Sequence, residues 1–224
     1  MANNKNIQEP EINMGEAVSK TEKFFETYKK HIVYGVSAVV VIAAVVLAYY
    51  QFVHIPKQQE AMGQTFTAEQ YFRNDNFESA LNGDGNALGF KQIISEYGNK
   101  AGEAVYFYAG VCELQLGNYN EAIKYLKQYA GTDPIIAARA IACIGDAYAS
   151  LNDYKAAAAE YVKAAKSADN MFAAAYLMKA GSMYEELGNN AEALKMYEEI
   201  QNKYPQSAEG IEISKYISRI NSLK

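Results

Sequence analysis

The sequence of 224 residues contains no tryptophan, only four prolines and only two cysteines. So few prolines, together with abundant alanine, glutamate, lysine and tyrosine, favour long uninterrupted helices. The two cysteines, Cys112 and Cys143, have the spacing of neither a metal site nor a redox motif. We expect two free thiols buried in helices, because cysteine is among the most buried residue types. A disulfide between them is the alternative.

The sequence also lacks the residue groups that catalysis requires. Its two histidines, His31 and His54, flank an apolar run, and there is no Ser/His/Asp set, no HExxH motif and no Gly-rich phosphate loop. The formal charge of −5 lies entirely after residue 50, where 16 basic residues are outnumbered by 21 acidic ones. An acidic region without basic runs argues against nucleic-acid binding. We therefore predict a protein that is not an enzyme and that has no cofactor and no metal site.

One long apolar run lies near the N-terminus. Residues 32–50 carry no charge, and a helix of this length, at about 1.5 Å per residue, crosses a hydrocarbon core of about 30 Å. Aromatic residues, which favour membrane interfaces, stand at both ends of the run: Tyr34, Tyr49, Tyr50 and Phe52. We predict a transmembrane helix over residues 32–53. A cleaved signal peptide is the alternative, and the leading segment of about 30 residues disfavours it.

The lysines on either side of this run predict its orientation. Four lie within the 20 residues before it, whereas Lys57 alone lies within the 20 residues after it. The side richer in Lys and Arg stays in the cytoplasm, so residues 1–31 are predicted to be cytosolic and residues 58–224 to be exported. The cytosolic segment is predicted to be amphipathic, because five residues share one helical side: Val18, Thr21, Phe24, Phe25 and Tyr28.

Three later stretches share one set of spacings. The three series are Gly110, Gly117, Ala122, Leu126, Tyr129; then Gly145, Asn152, Ala157, Tyr161, Ala164; and then Gly181, Gly188, Ala193, Tyr197, Ile200. Small residues at the first and third places allow two antiparallel helices to approach closely. The second place is predicted to lie in the turn, where Gly or Asn tolerates a left-handed backbone.

These spacings resemble the tetratricopeptide repeat (TPR), a helix–turn–helix unit of 34 residues. The segment YFYAGVCELQLGNYNEAIKYLKQYAGTDP matches the repeat nearly throughout. Pro134 and Pro205 close the first and third copies, and Asp169 stands at that place in the second. We predict an all-α protein in which the N-terminal transmembrane helix precedes a TPR α-solenoid of three clear repeats.

A degenerate fourth copy and a capping helix complete this prediction. The degenerate copy comes first, with Ala68, Asp75 and Ala80 at the repeat spacing, and its register fails at residues 82–86, after which helix is predicted from Ala87 to Tyr97. Residues 82–86 resemble a calcium-binding loop, but the two strongest carboxylate positions are absent, so we interpret them as a turn. The C-terminal capping helix places apolar residues at helical spacing: Ile211, Ile213, Tyr216, Ile217 and Ile220.

Resemblance to TPR domains implies a concave groove lined by the first helix of each repeat. The positions that would bind protein in this groove are Phe107, Val111, Leu114, Gln115, Arg139, Asp146, Met178 and Ser182. The basic and amide residues of those TPR domains that bind acidic C-terminal tails are missing, so apolar or helical segments are the predicted ligands. Alternatively, the same residues pack internally, on the first repeat or on the capping helix.

The order of the EAVSKTEKFF segment, the apolar run and the repeats is similar to that of the YfgM-type family of single-span inner-membrane TPR proteins. These are ancillary subunits of the bacterial Sec translocon. The resemblance implies a periplasmic domain that contacts translocon subunits, periplasmic chaperones or newly exported clients. The alternative is a structural subunit of an envelope machine, such as an outer-membrane assembly or secretion complex, without client binding. In both cases the predicted partners are proteins, not nucleic acid or a small-molecule substrate.

Overall fold

The computed structural model describes residues 14–167, 170 and 172–222, with side chains from Glu22 onward. Throughout these ranges the regular structure is helical, which confirms the predicted all-α class. The chain divides into two compact units between Ile55 and Pro56. Outside the described residues lie the first part of the predicted cytosolic segment (1–13), the side chains of Val18 and Thr21, and Asp169.

The first unit contains helix α1, Met14–Tyr49, and a π-helical turn, Tyr50–His54. Apolar side chains along α1 are exposed, as Ile42 (63%) and Leu47 (68%) illustrate. Among the described residues, one helix is long and apolar enough to cross a membrane, and it contains this stretch. The core helix of a soluble domain would be mostly buried, so this exposure agrees with the predicted membrane helix.

The second unit, from Pro56 onward, is a succession of helices, the first of which already begins at Ile55. They are α2 (Ile55–Arg73), α3 (Phe77–Asn82), α4 (Phe90–Tyr97), α5 (Ala104–Gln115), α6 (Tyr119–Gln128), α7 (Pro134–Ser150), α8 (Tyr154–Ser167), α9 (Phe172–Glu186), α10 (Asn190–Lys203) and α11 (Ala208–Asn221). A short 3-10 turn, Gly98–Ala101, stands between α4 and α5. The pairs α5–α6, α7–α8 and α9–α10 pack as the three predicted hairpins, and consecutive hairpins pack on one another.

The leading glycine of each series lies where the two helices of a hairpin cross. A Cβ atom built on it would clash with the second helix: Gly110 with Leu126 Cγ at 2.6 Å, Gly145 with Tyr161 Cε1 at 2.7 Å, and Gly181 with Tyr197 Cε1 at 2.3 Å. These separations are well below ordinary van der Waals contact. The hairpins therefore need a residue without a side chain at this place, as the spacing predicts.

The turns of the hairpins share one backbone conformation. Gly117, Asn152 and Gly188 have φ angles of 80°, 60° and 69°, and Asp75 of the degenerate copy has 55°. The N–H that follows each of them donates to a carbonyl five residues back: Asn118 to Glu113, Asp153 to Tyr148, Asn189 to Tyr184, and Asn76 to Tyr71. This hydrogen bond satisfies a carbonyl left free at the helix end. The degenerate copy thus retains the turn of the repeat.

The loop between α3 and α4 differs from the prediction, because α4 begins at Phe90 and not at Ala87. Oδ1 of Asp84 accepts hydrogen bonds from the N–H groups of Asn86 and Ala87, and Tyr71 donates its hydroxyl to Oδ2 at 2.7 Å. These bonds hold residues 84–87 in a turn, which delays the start of the helix. The Asp84 carboxylate therefore organises the loop through protein groups.

Helix α11 caps the last hairpin, and Ser207 accepts a hydrogen bond from the Gly210 N–H at its start. Ile213 and Ile220 are buried in one cluster with Tyr197 and Ile200. Ile211, predicted to share this apolar face, is instead 74% exposed. The reason is geometric, because residues two apart on a helix point in nearly opposite directions.

An ion pair between a buried carboxylate and a partly exposed lysine joins α4 to α5. The Glu113 side chain is completely buried, and Lys91 Nζ lies 2.7 Å from its Oε1. Asn118, in the turn that follows α5, donates its side-chain N–H to Oε2 at 2.8 Å. This arrangement pairs the buried carboxylate with a cation and an amide, and it ties α4 to the first clear hairpin.

The two cysteines are free and buried, as predicted. Burial raises the pKa of the Cys112 thiol to about 12 and that of Cys143 to about 11. Both thiols are therefore protonated, and weakly nucleophilic, at neutral pH.

Candidate functional site

A cavity of about 370 Å³ opens where α5, α7 and α9 lie side by side. Seven of its lining residues are apolar: Val111, Leu114, Ile135, Ala142, Cys143, Phe172 and Tyr176. Four are polar or charged: Gln115, Arg139, Asp146 and Lys179. The first helices of the three clear hairpins thus form a groove with an apolar wall and a few charged groups, a composition typical of binding sites.

Five of the eight predicted binding residues line this cavity. They are Val111, Leu114, Gln115, Arg139 and Asp146. Leu114 and Asp146 are half-buried, whereas Gln115 and Arg139 are exposed, so each of these four presents side-chain atoms to solvent. The structure therefore brings together residues of two successive repeats that are 24 or more positions apart in sequence.

The other three predicted residues lie elsewhere. Phe107 is only 6% exposed and packs edge-on against Tyr108 and Tyr129, so it belongs to the core between two hairpins. Met178 is half-buried and packs against the apolar cluster that contains Tyr197 and Ile213. Ser182 lies close to the Tyr197 hydroxyl. Phe107 thus packs internally, which is the alternative that the sequence left open.

Sequence reasoning missed several lining residues that a helical projection from Arg139 could have found. Ile135 and Cys143 lie four residues before and after Arg139, which places them on the same face of α7. Phe172 and Lys179 of the next repeat gave no such signal. Their place in the lining depends on how α9 stacks on α7.

One wall of the cavity is ordered by a charged network. Asp146 Oδ1 accepts hydrogen bonds from the Tyr161 hydroxyl and from Lys179 Nζ, both at 2.6 Å. Lys179 Nζ also lies 5.4 Å from the centre of the Tyr161 ring, within cation–π range. The network links α7, α8 and α9, and it neutralises Asp146 within the protein.

The next hairpin carries a similar network. The Tyr197 hydroxyl donates to Glu185, and Arg219 Nη2 lies 2.7 Å from each oxygen of the same carboxylate. The Arg219 guanidinium stacks on Tyr216, 5.1 Å from the ring centre. In both networks the tyrosine that packs against the crossing glycine donates its hydroxyl to a carboxylate. A cation from the next helix then pairs with the same carboxylate.

These tyrosines predict how stability depends on alkaline pH. Burial, and then the hydrogen bond to Asp146, raises the pKa of Tyr161; burial and the hydrogen bond to Glu185 raise that of Tyr197. Both favour the neutral phenol in the folded state. Their contribution to the free energy of unfolding is therefore complete below the unfolded-state pKa of about 10, and it is lost as the pH rises above that value.

We expect the melting temperature of residues 56–224 to fall steeply above pH 10. Changing both Tyr161 and Tyr197 to Phe should lower it at pH 8 and make its fall above pH 10 shallower. Tyr154→Phe is the matched control, because the Tyr154 hydroxyl bonds to Asn152 in an exposed turn. An unaltered pH slope in the double variant would exclude these two phenols as the cause.

Comparisons with known proteins identify the repeats. Two tetratricopeptide repeat models match the chain, one at residues 104–134 and 174–207 and the other at residues 138–170. A search of curated proteins finds no significant match.

Similar solved structures include two of MamA. The first is 20% identical with a TM-score of 0.52, and the match covers 69% of this chain and 92% of that one. The second is 19% identical with a TM-score of 0.53, covering 74% and 91%. At this identity the likeness shows the fold alone. The chain thus carries a TPR solenoid, a fold that supports protein–protein interaction.

Proposed function

We propose that this chain is a membrane-anchored TPR scaffold that assists newly exported proteins at the Sec translocon by contacting translocon subunits and periplasmic chaperones or clients. The observation that carries the binding role is the groove of α5, α7 and α9, with its apolar wall and its cavity. The similarity to YfgM-type proteins supports the place of action. The groove has no grouping of His, Cys, Asp and Glu suited to a metal ion among the described residues.

The anchor proposed for this scaffold is the apolar helix within α1, with its N-terminus in the cytoplasm and the repeats in the periplasm. Its length, its composition and its exposure support insertion in a membrane. The lysines before it support the orientation.

Orientation should depend on those lysines. Changing Lys20, Lys23, Lys29 and Lys30 to Gln, and adding lysines after Pro56, should invert a measurable fraction of the molecules. A C-terminal reporter that is active only in the periplasm would measure that fraction. Full reporter activity in this variant would mean that charge bias does not determine the topology, and the same number of Gln substitutions at exposed lysines of α8–α11 is the control.

Affinity purification of the tagged full chain in mild detergent tests the scaffold role. Leu114 and Phe172 reach the cavity from opposite sides, and Phe172 is 46% exposed. The Leu114→Ser, Phe172→Ser double variant should reduce recovery of translocon subunits at least about tenfold, because a few residues in well-packed pockets carry most of the binding energy of an interface.

A matched double variant controls for the general loss of apolar surface. Leu151 and Leu187 are 40% and 45% exposed, and they lie at hairpin turns away from the cavity. Changing both to Ser should leave recovery unaltered. Failure to recover translocon subunits with the wild-type chain, or recovery of an outer-membrane assembly or secretion complex in their place, would contradict the proposed role.

A further inference from the structure

The cavity contains a cation that the protein does not neutralise. Arg139 is exposed in the lining, and within the described part of the chain it makes no ion pair or hydrogen bond. The other lining cation, Lys179, is bound to Asp146. The free guanidinium is conspicuous because the chain as a whole carries a charge of −5. It gives the groove a local preference for an anionic group.

Apolar residues lie on both sides of Arg139. Ile135 lies one turn before it and Cys143 one turn after it on α7, while Leu114 and Phe172 belong to the neighbouring helices. The parts of a ligand on either side of the group that reaches the guanidinium therefore contact apolar residues. The complementary ligand has one carboxylate with apolar neighbours on both sides.

We infer that this cavity binds an internal Asp or Glu of an otherwise apolar protein segment, with the carboxylate on Arg139. The inference rests on the proposed function, since it names the kind of segment that the groove selects. A guanidinium presents two parallel N–H donors that match the two oxygens of a carboxylate. A C-terminal carboxylate would leave the lining beyond Arg139 unfilled on one side, so the acidic residue is internal.

Asp146 disfavours a second acidic residue in the bound segment. It lies seven residues after Arg139 on α7, about 10 Å along the helix axis. Because the charge of Lys179 is already balanced by Asp146, a second ligand carboxylate at this end of the cavity would face the Asp146 carboxylate without a net positive charge to attract it. A run of acidic residues along α7 would meet this carboxylate, whereas an apolar residue beside the ligand's Asp or Glu would meet Ala142 and Cys143.

Fluorescence anisotropy of the full chain in detergent micelles tests the inference. The probe is a short labelled peptide with both ends blocked, whose central glutamate lies between leucine and phenylalanine residues. Arg139→Gln should weaken its binding at least about tenfold, the effect expected for the loss of a charge-assisted hydrogen bond. Lys155→Gln removes the same charge from an exposed site on α8 and should leave binding unaltered.

Two further peptides separate the sources of the carboxylate. With glutamine at the centre, the blocked peptide should bind the wild-type chain as weakly as the glutamate peptide binds Arg139→Gln. Equal binding of the glutamate and glutamine peptides, or no effect of Arg139→Gln, overturns the inference. So does tight, Arg139-dependent binding of a glutamine peptide with a free C-terminus.

The outcome can be told apart from that of the proposed function. Because Arg139 is exposed, Arg139→Gln should have the same melting temperature as the wild-type chain. A thermal melt of each variant checks this. If translocon subunits are recovered but the chain binds the glutamate and glutamine peptides equally well, the inference is wrong and the proposed function stands. If the peptide binds through Arg139 but no translocon subunit is recovered, the inference stands and the proposed place of action is wrong.

Discussion

Replacing Gly110 with leucine should destabilise the repeat domain by about 3 kcal/mol and lower its melting temperature by roughly 6–12 °C. A Cβ at this position would already lie 2.6 Å from Leu126 Cγ and 3.1 Å from the Leu126 backbone nitrogen. The Leu126 side chain could rotate away, but its backbone cannot move without separating α5 from α6. A larger side chain at Gly110 therefore acts on the whole hairpin.

Gly63 provides the matched control. It also lies within a helix, α2, but a Cβ built there has no heavy atom within 4 Å. Gly63→Leu should leave the melting temperature unaltered or raise it slightly, because leucine favours the helix over glycine by up to about 1 kcal/mol. Thermal melts of residues 56–224 followed by circular dichroism would measure both variants. Equal melting temperatures for the two variants would mean that α5 and α6 do not cross at Gly110.

The features that the sequence predicted correctly are those with strong local causes. A crossing glycine such as Gly145 and a left-handed turn residue such as Asn152 recur at a fixed spacing, because each hairpin imposes the same backbone constraints. The C-terminal capping helix likewise followed from its apolar period. For the same reason the weak first copy could be recognised from Ala68 and Asp75, although its second helix is short.

The features that the sequence did not predict depend on how one repeat stacks on the next. Position alone assigned Phe107 to the groove, but α7 and Tyr129 cover it. The later start of α4 depends on Asp84, whose bonds to Tyr71 and to its own loop were not visible as a periodic signal. Lys179 enters the candidate site from another repeat. Such contacts are tertiary, and a repeat pattern describes only what each unit has in common.

The second large effect is expected at the ion pair that Lys91 makes with the buried Glu113. Lys91→Met should destabilise the domain by about 3 kcal/mol, because it leaves a completely buried carboxylate without its cation. Asn118 would still donate one hydrogen bond to that carboxylate, but an amide does not neutralise the charge. Since Lys91 lies on α4 and Glu113 on α5, the loss should also loosen the contact between the degenerate copy and the first clear hairpin.

The double variant Lys91→Met, Glu113→Leu should recover most of the lost stability. Replacing a buried ion pair with apolar residues of similar size is often neutral, whereas removing one partner is costly. Lys124→Met is the surface control. Its partner Glu121 lies on the exposed side of α6, where loss of a pair costs at most about 1 kcal/mol. Urea unfolding of the wild-type domain, of the single variants Lys91→Met and Glu113→Leu, and of the double variant would give the coupling energy, and Lys124→Met is measured beside them. If the double variant is no more stable than Lys91→Met alone, the cost arises from lost packing of the lysine stem and not from the unpaired carboxylate.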